Sequence, residues 1–347
     1  MDHKTTLVEP SAWGDYSLYC LENSNGVRVE ISDLGASIVS FKLKDRYHRE
    51  RNIVLGYNRP EHYLAGQAYV GGVVGPWGNR IENGRYDHAG NPIQLCQNEG
   101  SNHLHGGDCE LHKRRWDVTI LAAQGITLET QVNKGEGGYP ANLRICVTYR
   151  LSDANELTVH YWVESDDDCP VNLTHHAYFN LSGGKHDVQG HIVAIDADEY
   201  WDTNAEQIPT QSRSVMGTAM DFLQPKRIAL GFATEEAALV SAGGYDHCFI
   251  LNGEGLRPVG WAFEQSGGIV LEVMSDRPAM QFYTGNHLGD HKDSFGKPFG
   301  THMGFCFETQ SYPNQVNMPD IADQVLVTPN RPFNSTTVFK ASVEGHA

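Results

Sequence analysis

No run in this chain approaches the roughly 18 consecutive apolar residues that would cross a bilayer as a helix. Its opening residues 1–17, MDHKTTLVEPSAWGDYS, also lack the apolar core of a secretory signal. Basic charge is scarce: 26 Lys and Arg stand against 43 Asp and Glu, a formal net charge of −17. That balance argues against nucleic acid or an anionic membrane surface as a partner. The cysteines, at positions 20, 96, 109, 146, 169, 248 and 306, are odd in number and contain no C-x-x-C. Reduced thiols in a cytoplasmic protein account for that scatter better than a disulfide framework. Sequons at Asn172 and Asn180 carry little weight without a secretion signal. No Pro- or Ser-rich linker and no internal repeat divides the 347 residues, so one domain spanning 1–347 is expected.

Helical periodicity is also rare. Residues 234–242 are the best candidate and would make only two or three turns. Period-two alternation is abundant instead, at 27–32, 39–43, 143–150 and 157–163. The last two runs, joined by the turn residues 152–155, read as a β-hairpin. Similar runs recur at 126–132, 269–274, 281–283 and 335–343. The fold class predicted is all-β: one large, mainly antiparallel β-sandwich with few short helices, its loops carrying the polar constellations.

Those constellations are where chemistry would sit. Residues 171–183 read VNLTHHAYFNLSG and 102–107 read NHLHGG, both placing histidines in polar loops between apolar runs. Imidazole gives and takes protons near neutrality. His175 and His176 are adjacent, so on an extended strand only one of them reaches a given pocket. Glu308 follows the apolar run 303–307; burial there raises a carboxyl pKa, as a general base acting near neutrality requires. His103 and His105, two apart, would point the same way on a strand and resemble part of a cupin metal motif. Gln97 and Asp117 stand where that motif wants glycine, so metal ligation is not expected. Gly106-Gly107 is read as a loop whose backbone passes close to a ligand. Asn79-Arg80 and 245–247 (Tyr-Asp-His) supply donors and acceptors suited to vicinal hydroxyls. Trp77, Phe282 and Tyr178 would either form an apolar platform for a sugar's C–H face or pack the core.

These residues resemble the aldose 1-epimerases, or galactose mutarotases, over nearly the whole chain. The matching pieces are Gly78-Asn79-Arg80-Ile81 with Gly84-Arg85-Tyr86, then 102–107, 113–116, 137–143 (GGYPANL), 172–181, 244–247, 281–286 and Glu308-Thr309-Gln310 with Pro313 and Asn317. The resemblance implies a β-sandwich with an open cleft and cofactor-free interconversion of the α and β anomers of a free hexose. It further implies Glu308 as general base at the C1 hydroxyl, His176 as the acid at the ring oxygen and His105 as a hydrogen-bonding partner near it. Asn79, Arg80, Asp246 and Gln281 would bind hydroxyls, with Trp77 and Phe282 beside the sugar. The partner expected is a small monosaccharide, the assembly a monomer or homodimer. Three departures from the family pattern stand out: Gly75-Pro76-Trp77-Gly78 before Asn79-Arg80, His175 where Asn is usual, and 328–333 (TPNRPF) near the end. Alternatives are a non-catalytic sugar-binding protein on the same fold, a metal-dependent sugar isomerase, and an epimerase for a modified or phosphorylated sugar. The last should show basic residues at its cleft, and the only local basic run is Lys113-Arg114-Arg115.

Overall fold

A computed structural model describes residues 9–122, 125–290 and 299–344. The first eight residues of the N-terminal segment discussed above lie outside the described residues.

Antiparallel sheet dominates. The largest sheet has nine strands in the order Asp117–Ala122, Gly125–Val132, Leu143–Leu151, Glu156–Ser165, Phe333–Val343, Ile269–Ser275, Arg257–Glu264, Ile192–Ile195 and Lys226–Arg227. Within it, the predicted hairpin forms: Leu143 pairs with Ser165 and Leu151 with Leu157. Leu143, Ile145, Val147, Tyr149 and Leu151 are buried while the intervening residues are not, so alternation in the sequence becomes a wet face and a core face. A five-stranded sheet covers Ser11–Asn52 in sequential order. A second one runs Pro209–Ser214, Glu199–Thr203, Asp246–Ile250, Ala279–Tyr283 and Cys306–Gln310.

One apolar core joins the three sheets, drawing Val29 and Ile31 from the sheet over Ser11–Asn52, Val147 and Val159 from the nine-stranded sheet, and Phe249, Phe282 and Phe307 from the sheet that ends in Cys306–Gln310. The all-β sandwich is therefore as expected. The helix expected at 234–242 is shorter, Ala237–Ala242, and a second short one covers Ile228–Phe232. Glu236 sits at the entry of the former with its carboxylate accepting the Ala219 N–H at 2.5 Å, which holds residues 234–236 outside the helix. All seven cysteines are unpaired. No helix among the described residues is long and apolar enough to cross a membrane.

Candidate active site

The sheet that ends in Cys306–Gln310 sets most of the site by register. Gln281 lies directly opposite Glu308, and Cys248 opposite Gln281 on the other flank. Asp246, Tyr283 and Cys306 share that face two residues further along. The intervening residues, His247, Phe282 and Phe307, point the other way. Phe282 is fully buried in a cluster with Phe222, Tyr245, Phe249, Phe305 and Phe307. Phe282 is thus a core residue, not a sugar platform; period two forbids it from sharing a face with Gln281.

Two loops bring in the rest. The strand His103–Leu104 pairs with Arg80–Ile81 and ends at once, because His105 and Gly106 are left-handed, with φ of 50° and 82°. Alternation breaks there, so His103 and His105 part company. His103 is buried, with its ring nitrogens 2.8 Å from the Cys96 carbonyl and 2.9 Å from the Tyr139 hydroxyl. His105 turns into a cleft. The glycines that follow close on the protein's own atoms. A Cβ on Gly106 would lie 1.7 Å from the Gly75 carbonyl oxygen, and one on Gly107 2.1 Å from the Cys96 sulfur. Both are needed to close the loop on its own neighbours.

The second loop carries the adjacent histidines, which face opposite ways. His175 is buried, its Nε2 3.1 Å from the Tyr149 hydroxyl, while His176 enters the cleft. Trp77 does not. It is wholly buried and its indole N–H donates to the Arg80 carbonyl at 3.2 Å, so it braces the backbone that carries Arg80 instead of touching the cleft. Asn172, a sequon residue, is buried too, bonded to the Gly78 carbonyl and the Ser311 N–H.

The cleft has a volume of about 170 Å³ and gathers Asn79, Arg80, His105, His176, Asp246, Gln281 and Glu308, together with Tyr69, Glu99, Tyr178 and Tyr283. That is smaller than the roughly 300–1,000 Å³ of sites for drug-sized ligands and suits one small molecule. Tyr69 and Glu99 carry no local signal that marks them, their place following from chain crossings between distant segments, whereas Tyr283 follows from period two, one alternation beyond Gln281. Tyr69 stacks beside His176 at 5.7 Å and meets His105 edge-on at 4.7 Å. Glu99 takes Arg80 in a two-pronged ion pair, 2.6 Å to Nε and 2.7 Å to Nη2.

At the centre, His176 Nε2 lies 3.7 Å from Glu308 Oε1, both side chains almost wholly buried. Burial lowers the His176 pKa to about 4. Burial also raises the Glu308 carboxyl well above its usual range, helped by Asp246 and opposed by Arg80. Burial thus favours the uncharged form of each partner, a neutral imidazole beside a protonated carboxyl, and a proton passed from Glu308 to His176 gives the charged pair. His105 is pushed well below its ordinary value by burial first and by His176 next. Its Nδ1 accepts the Asn79 N–H at 3.1 Å, which fixes the neutral ring with its proton on Nε2.

Two buried acceptors, Gln281 Oε1 and Glu308 Oε2, have no partner. Gln281 spends its amide N–H on Asp246 Oδ1 at 2.6 Å. An unpaired buried acceptor costs about 1–3 kcal/mol, so a hydroxyl-rich ligand has something to repay. His105, His176 and Glu308 also place one donor atom each within 4.8 Å of one another, a spacing a divalent ion could bridge. The His105 ring is set against that role, because a metal-bound histidine donates its other N–H, and here that nitrogen accepts one.

The basic run Lys113-Arg114-Arg115 is engaged elsewhere. Lys113 meets Glu110 at 3.0 Å, Arg114 donates to the Cys109 and Gln131 carbonyls, and Arg115 lies over Tyr16.

The family model described as aldose 1-epimerase matches residues 17–340. Galactose mutarotase of Bos taurus is 39% identical over 324 residues, 92% of each chain. Aldose 1-epimerase of Escherichia coli K12 is 33% identical over 333 residues, 95% of this chain and 96% of that one. The crystal structure of galactose 1-epimerase from Lactobacillus acidophilus NCFM superposes with a TM-score of 0.86 at 28% identity, covering 99% of both chains.

Proposed function

This chain belongs to the aldose 1-epimerase family, and on that premise we propose that it interconverts the α and β anomers of a free hexose, galactose or glucose, without a cofactor. The observation that carries the reading is the buried His176–Glu308 pair, an imidazole and a carboxyl 3.7 Å apart on the wall of a small cleft. Opening a hemiacetal needs one proton taken from the C1 hydroxyl and one delivered to the ring oxygen. The C1–O5 electron pair then leaves with O5, and the C1–O1 bond becomes a carbonyl. With the Glu308 proton passed to His176, Glu308 is the carboxylate that takes the hydroxyl proton and His176 the acid that supplies O5. After rotation about C1–C2 the roles reverse and the ring closes on the other face.

His105 supports the ring oxygen as a neutral Nε2–H donor, a fixed dipole aimed where charge develops. Gln281 offers its unpaired Oε1 to a sugar hydroxyl, beside Asn79, Arg80 and Asp246. In place of Trp77 and Phe282, the rings of Tyr69, Tyr178 and Tyr283 wall the cleft. The unpaired cysteines support a reducing, cytoplasmic setting for the reaction.

The test is polarimetry of freshly dissolved α-D-galactose and α-D-glucose with catalytic amounts of protein, with and without EDTA. Rotation should reach its equilibrium value faster with protein, equally in both buffers. No acceleration of either sugar would end the reading. Loss of activity on chelation, restored by a divalent ion, would end its cofactor-free part.

A further inference from the structure

Charge inside the cleft is unevenly paid out. Arg80 is the sole lysine or arginine among the described residues that line it. Two of its guanidinium nitrogens are taken: Nε and Nη2 both lie on the Glu99 carboxylate, at 2.6 and 2.7 Å. The pair is not a loose surface contact, since the Arg80 side chain is 13% exposed and the fork is two-pronged. Glu99 itself sits in a closed turn, where the Glu99 N–H donates to the Asn102 carbonyl and the Asn102 N–H to the Glu99 carbonyl. Its carboxylate is 37% exposed at the mouth of the cleft, so an entering ligand meets it.

With Arg80 matched by Glu99, no cation of the lining is left for Asp246. Its Oδ1 accepts the Gln281 amide at 2.6 Å, a neutral partner. Around a space of about 170 Å³ the cleft thus sets three carboxyl side chains, Glu99, Asp246 and Glu308, against one guanidinium. An arginine free at such a site would be a receptor for a phosphate or a carboxylate, because its fork matches both. Here a built-in carboxylate occupies that fork.

We propose that Glu99 is a specificity-determining residue: by occupying the Arg80 fork it restricts the cleft to uncharged aldoses and turns away sugar phosphates and uronates. The inference rests on the mutarotase reading and deepens it. Arg80 then offers a sugar hydroxyl its remaining Nη1 donors, while a ligand anion must displace Glu99 or lie beside it, and like charges so placed oppose binding.

The experiment compares wild type with Glu99→Gln, which keeps shape and removes the charge. D-Galacturonate and D-glucose 6-phosphate are used as inhibitors of galactose equilibration, alongside the Michaelis constant for galactose itself. For wild type, either anion should inhibit at concentrations at least about tenfold above the galactose KM. In Glu99→Gln the ratio of anion inhibition constant to galactose KM should fall about tenfold or more, and the gain should shrink as salt is raised. A merely structural role would weaken all three ligands together, leaving that ratio unmoved. An unchanged ratio, or wild type inhibited by galacturonate at the galactose KM, would overturn the proposal. If no neutral sugar is equilibrated by wild type, the mutarotase reading fails first, and the two failures are told apart by that control.

Discussion

Lowering the pH from 7 to 5.5 should strip much of this protein's stability, and the histidines say why. His112 and His175 have pKa values lowered to about 3, and His176, His191 and His247 to about 4, in every case chiefly by burial. Geometry reinforces the shift: His191 Nε2 accepts the Leu181 N–H at 3.0 Å, and His247 Nδ1 accepts the Asp246 N–H at 3.1 Å. Protonating those rings would set one N–H against another. In the unfolded chain each histidine titrates near 6.5, so folding is favoured fully above that value and loses ground as pH falls toward the folded pKa. Between pH 7 and 5.5 each ring contributes a loss of about 1 kcal/mol, so the five together cost on the order of 5 kcal/mol. Glu308 and Asp33 work in the opposite sense, since a raised carboxyl prefers acid, but His103 and His105 are lowered by burial as well and add to the five. A loss of that order is comparable with the whole stability of an ordinary domain, about 5–15 kcal/mol. Urea unfolding at the two pH values measures it. A midpoint at pH 5.5 equal to or above that at pH 7, with the same slope against denaturant, would refute the reasoning.

The adjacent histidines should separate cleanly. His176→Asn should lower turnover by about 10²–10⁴, while His175→Asn should cost about 1–3 kcal/mol of stability by unseating the Tyr149 contact and leave the rate per folded molecule near wild type; steady-state kinetics beside thermal melts distinguishes them, and the reverse ranking would contradict the orientation seen here. Trp77→Ala should destabilise by about 3–5 kcal/mol and reduce activity on galactose, glucose and a pentose alike. A change in the ratio of kcat/KM between those sugars, with melting temperature unmoved, would place the indole back at the substrate.

What the sequence made legible follows from what repeats locally. Alternation at 143–151 and 157–163 gave the hairpin because each strand has one wet face and one dry one, and side chains report that two residues at a time. The same rule placed His176 apart from His175. Applied to Gln281 and Phe282 it would also have separated those two, and the phenylalanine is indeed in the core. Trp77 was harder, because a large aromatic in a polar loop looks alike whether it braces the loop or lines it. Gly106 and Gly107 announced a close approach, but the approaching groups, the Gly75 carbonyl and the Cys96 sulfur, are set by chain crossings that no local pattern encodes. Glu99 and Tyr69 were invisible for the same reason. The left-handed φ at His105 decided which histidine of NHLHGG faces the cleft, and a histidine rarely advertises that conformation.

The most direct measurement is exchange NMR on galactose at equilibrium, reading the rate at which α and β anomeric protons interconvert with wild type and with Glu308→Gln at equal concentration. The amide keeps the shape of the carboxyl and cannot take the proton. The account predicts enzyme-driven exchange in wild type and a fall of about 10²–10⁴ in the variant, with galactose still bound. Exchange by Glu308→Gln near the wild-type rate would contradict it.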